Sequence, residues 1–113
     1  MKKLILGGLL LVLPIFANAA KIDPKQHQQL CEQLHLIAKI FIDNRKDGLP
    51  VIDAMKINDN SFTKDEDKYM HEIVQKIILD AYAQPQFGTQ EYKQKESREF
   101  ANKYYVGCMS MYQ

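Results

Sequence analysis

Three residues of the sequence have types and spacing suited to chemistry. His27, Cys31 and His35 fall at i, i+4 and i+8, so a helix would place them on one face. A thiolate between two imidazoles is a donor set for zinc or copper. The same residues could form a Cys/His nucleophilic pair, which needs a low-pKa thiolate, a cleft and an orienting third group. Both chemistries need Cys31 reduced. The chain has two cysteines, Cys31 and Cys108, and two cysteines in an exported chain read first as a disulfide. With Cys31 oxidised, His27 and His35 become boundary residues on the polar edge of their helix. No catalytic residue, metal or cofactor is then expected, and no C-x-x-C redox pair occurs. His71-Glu72 begins like the H-E-x-x-H zinc motif, but Gln75 stands where the second imidazole is required. His71 is expected at the surface, paired with Asp67 one turn back.

The segment that carries Cys31 has an apolar arc covering well over half of its circumference as a helix. Leu30, Leu34, Ile37 and Phe41 form one line, with Cys31, Ala38 and Ile42 on one flank and Leu36 and Ile40 on the other. Surface helices usually show a stripe of roughly 100° or a little more; this arc is wider and predicts a central helix with neighbours on several sides. Asp23-Pro24 supplies an N-cap and a first-position proline, and Asp47-Gly48 a stop, so the helix is expected over 24–45. Arg45 and Lys46 would complement the negative end of its own dipole. A short helix over 50–57 follows, then a turn at Asn58-Asp59-Asn60-Ser61. Thr63-Lys64-Asp65-Glu66 has the form of a capping box. The next helix carries Met70, Ile73, Val74, Ile77 and Ala81 at helical spacing and stops before Pro85. The last, over 92–112 with Thr89 as cap, has a polar first half that should project into water. Its second half buries Phe100, Ala101, Tyr104, Tyr105, Cys108, Met111 and Tyr112. No alternating β-branched run occurs. The expectation is an all-α domain, a small bundle of three long helices plus one short helix, closed by one disulfide.

At 113 residues the chain holds one domain. Met1-Lys2-Lys3, the apolar run from Leu4 to Phe16 and Ala17-Asn18-Ala19 have the three-part form of a cleavable secretory signal. The predicted division is a signal peptide over 1–19 and a helical periplasmic domain over 20–113, with no stable membrane anchor after cleavage. Removing 19 of 113 residues leaves 94, with 13 basic against 14 acidic side chains once Lys2 and Lys3 are gone. A net charge near −1 with no basic stripe excludes nucleic acid as the expected partner. A bridge from Cys31 to Cys108 would close 78 residues counting both ends; the sequence leaves open whether it forms within one chain or between two.

The aromatic residues gather in the second half: Tyr69, Tyr82, Phe87, Tyr92, Tyr104, Tyr105 and Tyr112. Tyrosine suits both a core edge and an interface, because one end is apolar and the other wets. Tyr104 and Tyr105 are adjacent and cannot point the same way on a helix. With the polar arm, Tyr92, Arg98, Tyr104, Tyr105 and Tyr112 form the candidate interaction face.

Cys31, Arg45-Lys46-Asp47-Gly48, Ala81-Tyr82-Ala83-Gln84-Pro85 and Glu99-Phe100-Ala101-Asn102-Lys103-Tyr104-Tyr105-Val106-Gly107-Cys108 together resemble a group of small exported helical proteins of Gram-negative bacteria and their prophages. The resemblance spans nearly all of the mature chain. It implies a disulfide-bonded helical fold and export, and brings no functional residues with it. The function expected is a non-enzymatic module that binds another periplasmic protein, as an immunity protein or an inhibitor of a periplasmic enzyme. The alternative is an acid- or stress-activated periplasmic chaperone, also small, helical and disulfide-bonded.

Overall fold

A computed structural model describes residues 23–86 and 88–111. The signal-peptide reading, Phe87 and Tyr112 lie outside the described residues. Four helices follow in order: α1 over Pro24–Lys46, α2 over Val51–Ser61, α3 over Lys68–Ala83 and α4 over Gln90–Ser110, with a 3-10 turn at Asp65–Asp67 before α3. There is no strand among the described residues. A disulfide joins Cys31 and Cys108 within the chain, with Cα atoms 5.4 Å apart.

Local chemistry accounts for most helix ends. Asp23 accepts from the Lys25 N–H at 3.2 Å, and Pro24 opens α1. At the other end Gly48 takes φ +95°. Its N–H reaches the Arg45 carbonyl at 3.0 Å and the Leu49 N–H reaches the Asn44 carbonyl at 2.9 Å. This Schellman pair satisfies carbonyls the helix would otherwise leave open, and the left-handed residue it needs is glycine. Thr89 caps α4 by accepting from the Tyr92 N–H.

Four local expectations are corrected. Residues 58–61 are the last turn of α2, not a loop. Asn58 is buried there, and its amide donates to the His71 carbonyl at 3.0 Å, while Asp59 pairs with His71 at 2.7 Å. Contacts to α3 thus hold turn-forming residues in a helix, and His71 pairs with Asp59, not Asp67. Thr63 and Glu66 do not close a capping box: the 3-10 turn intervenes, and neither Lys64 nor Asp67 makes a side-chain cap bond. The first half of α4 does not simply project into water. Ser97 is buried and donates to Asp43 on α1, and Glu96 meets Lys46 at 3.1 Å.

The core has two lobes that meet along α1. Cys31, Leu34, Ala38 and Ile42 of α1 pack with Ile77 and Ala81 of α3 and Phe100, Ala101 and Cys108 of α4. Phe41 packs with Ala54 of α2 and Val74 and Ile78 of α3. Helix α1 therefore touches all three others, most extensively α4, then α3. The wide apolar arc is nevertheless not fully covered: Leu36 is 56 % and Ile40 45 % exposed. No helix among the described residues is long and apolar enough to cross a membrane.

The last turn of α1 works on other helices. Arg45 donates to the Ala81 carbonyl at 3.2 Å and to the Gln84 carbonyl, so it caps the end of α3, and its guanidinium lies 5.8 Å from the Tyr82 ring centre. Lys46 donates to the Lys93 carbonyl and pairs with Glu96. The two cations lie in the last turn of α1 as expected and also join α1 to α3 and α4.

Candidate functional site

The histidine–cysteine face divides in the structure. His27 is buried, not a boundary residue. Its Nε2 lies 3.0 Å from the Cys108 carbonyl oxygen and 3.4 Å from Cys31 Sγ. His35 is half-buried and turned toward α4, with Nε2 3.1 Å from Asn102 Oδ1 and its ring edge-to-face with Tyr105. The bridged sulfurs occupy the position where a thiolate would sit, and His35 is not part of the cluster around them.

Along α4 the tyrosines diverge. The buried line of the helix is Ser97, Phe100, Ala101 and Cys108. Tyr92 is exposed on the flank facing the end of α3, beside Gln84 and Pro85. Arg98 is exposed on the opposite flank, across a polar furrow from Lys39, Asp43 and Asp47. Tyr105 lies with Glu32, His35 and Asn102. Tyr104 turns toward α3, where its hydroxyl donates to Asp80 Oδ2 at 2.6 Å. The four described members of the candidate face thus line four different surfaces.

Asp80 is the electrostatic centre on the α3–α4 side. Its carboxylate accepts from Lys103 at 2.7 Å, from Tyr104, and from Gln84 at 2.9 Å. Burial alone would raise its pKa; the bonds from Lys103, Tyr104 and Gln84 and the Lys103 charge outweigh that and hold it below the ordinary 3.8. Burial, then the bond to Asp80 and its negative charge, push the Tyr104 hydroxyl well above the ordinary tyrosine value.

A groove opens where the start of α1, the start of α3 and the end of α4 meet. It holds about 280 Å³ and is mainly apolar. Leu30, Leu34 and Ile73 line its floor, Tyr104 closes one side, and Glu72 and Lys76 stand on the rim. Tyr69, 62 % exposed, and Met111, 70 % exposed, flank it. Among the described residues of the candidate face, Tyr104 is the one that the groove includes. The sequence carried a signal for several of the other lining residues: the apolar stripes of α1, α3 and α4 include Leu30, Leu34, Ile73 and Met111. Only the packing brings these residues together.

The chain matches no protein-family model, no curated protein and no solved structure. The site rests on its own geometry. That geometry offers an apolar cleft with large, exposed, amphipathic or polarizable rim residues, the composition enriched at the centres of protein interfaces.

Proposed function

We propose that this chain is a non-enzymatic protein-binding module of the periplasm, an immunity protein or inhibitor of a periplasmic enzyme. The observation that carries the reading is the groove: an apolar floor of Leu30, Leu34 and Ile73 with Tyr69 and Met111 exposed beside it. Exposed apolar clusters rimmed by polar residues mark interaction sites. The partner segment is an apolar helix or loop that seats large side chains between the helices and sets complementary charges against Glu72 and Lys76. The signal read over 1–19 and the Cys31–Cys108 bridge support an oxidising compartment as the place of action.

The test places a photo-crosslinking residue at position 69, position 111 or, as a control, at exposed Lys56. The expected result is one enzyme crosslinked from 69 and 111 and not from 56, whose purified activity falls on adding the unmodified chain. Tyr69→Ala and Met111→Ser should each weaken the complex about tenfold or more without lowering the melting temperature, since truncation of an interface anchor typically costs about 2 kcal/mol. Affinity unchanged in both variants would exclude the groove as the binding face.

A second reading, an acid-activated chaperone, is favoured by where the carboxylates sit. Asp43, Asp80 and Glu96 each join α4 to another helix. Asp80 carries a depressed pKa, so its contribution is present above the unfolded value near 3.8 and is lost as pH falls through the lower folded value. Asp80 and Lys103 are partly solvated, which limits that contribution to about 0.5–1 kcal/mol. Acidification from pH 7 to pH 2 should loosen α4, seen as loss of near-UV circular dichroism with binding of an apolar dye. Asp80→Asn should flatten part of that dependence. A spectrum and oligomer size unchanged down to pH 2 would exclude this reading.

A further inference from the structure

The bridge and its histidine hold a second chemistry in reserve. His27, Cys31 and Cys108 each offer a ligand atom, these atoms lie within 4.8 Å of one another, and all three residues are buried. His27 and Cys31 are one helical turn apart on α1, and Cys108 comes from α4. We propose that, once the Cys31–Cys108 bond is reduced, these three residues form a buried two-sulfur, one-nitrogen site for a monovalent copper ion.

The hydrogen bond to the Cys108 carbonyl prepares the imidazole for that role. A carbonyl only accepts, so the proton sits on Nε2, and Nε2–H donates across 3.0 Å. In the neutral ring the lone pair is then on Nδ1, 4.0 Å from Cys31 Sγ. Metal-bound histidines usually donate their other N–H to a carbonyl or carboxylate, which fixes the ring and its tautomer. On one ion, an imidazole nitrogen at about 2.0 Å and a thiolate sulfur at about 2.3 Å stand roughly 3.6 Å apart. Opening the bridge also lets the two sulfurs, bonded to each other in the oxidised chain, move to the roughly 3.8 Å that two thiolates on one ion require. Both cysteine side chains rotate to part the sulfurs by more than an ångström, while the Nδ1–Sγ distance closes by a few tenths.

The electrons balance simply. A dithiol reductant supplies two electrons and two protons, the Sγ–Sγ bond becomes two thiols, and the reductant leaves as its own disulfide. Copper(I) then displaces both thiol protons and changes no oxidation state. The number of donors decides the metal. Zinc sites held by protein alone close with four ligands, whereas soft thiolates favour Cu(I), and the cluster offers three. His35 stays outside it, held toward Asn102. The ion would replace the covalent tie between α1 and α4 with a coordinate one, so the two helices stay joined in either redox state.

The experiment takes the purified chain, oxidised or reduced with a water-soluble phosphine, which becomes its oxide by taking oxygen from water. Each form is titrated with Cu(I) in competition with a coloured Cu(I) chelator, and separately with Zn(II). Far-UV circular dichroism is recorded throughout. The expected result is one Cu(I) per reduced chain with helical content retained, and no copper taken from the chelator by the oxidised chain. His27→Gln should weaken binding at least tenfold, and His35→Gln should leave it unchanged. Four outcomes overturn the proposal: no copper uptake by the reduced chain, equal affinity in His27→Gln, a stoichiometry other than one per chain, or helix loss on reduction that copper does not restore. Tighter binding of zinc than copper would overturn the assignment of the ion.

Discussion

Replacing Cys31 with Ser should lower the melting temperature by roughly 15–30 °C, while replacing His35 with Gln should lower it by no more than a few degrees. The bridge spans 77 positions of sequence, and the chain-entropy argument gives about 4 kcal/mol for a closed loop of that length. For a domain of this size each kcal/mol moves the midpoint by about 4–8 °C. Cys31 is also wholly buried in the larger core lobe, so a serine hydroxyl placed there adds the cost of an apolar site receiving a polar group. His35 makes one hydrogen bond, to Asn102, near the surface. Thermal unfolding followed by circular dichroism in the absence of reductant measures both variants. Equal midpoints would remove both the clamp and the central role of α1.

The second large effect is at the opposite end of α1. Lys46 and Glu96 are paired at 3.1 Å with only 9 % and 12 % of their side chains exposed. Taking both charges out of water is expensive, so the pair adds little over an apolar pair of the same volume; removing one partner strands the other. Lys46→Met and Glu96→Leu should each cost about 3 kcal/mol. The double variant should be more stable than either single one, because no charge is then left stranded. It will not reach the wild type if the Lys46 bond to the Lys93 carbonyl matters independently. Urea unfolding gives the values, provided the slope with denaturant stays constant across the set. Additive losses in the double variant would show that the two side chains are not coupled.

The parts of this fold that were legible in the sequence are those set by a few adjacent residues. Asp23-Pro24, Asp47-Gly48, Gln84-Pro85 and Thr89 mark helix boundaries by local sterics and capping, and the structure has helix ends at each. That the two cysteines pair was legible from their number in an exported chain, whereas their pairing within one chain comes from the way α1 and α4 pack. What was not legible depends on a partner distant in sequence. Asn58 to Ser61 carry turn chemistry, but α3 supplies contacts that keep them helical. Arg45 and Lys46 have the right sign for their own helix end, yet both point across to other helices. His27 sits on what reads as a polar edge, and the end of α4 covers it. The groove is the extreme case, since it exists only where three helix ends converge. The tyrosines of α4 are close in sequence, and the helix's 100° step disperses the described ones to different surfaces.

The uneven attachment of α2 has a consequence for how the molecule opens. Helices α1 and α4 are joined covalently at one end and by ions at the other. Helix α2 rests mainly on α3, through the small Ala54 and through Asn58. The Asn58 Oδ1 oxygen is buried without a hydrogen-bond partner among the described residues, and such an oxygen forgoes the solvation it would recover in water. Amide protons of 54–61 should therefore exchange with solvent through a local opening of lower free energy than the one that exposes α1 and α4. The domain has a built-in order of dissolution, with its thinnest seam under α2 and its most durable one between the helices that begin and end the bundle.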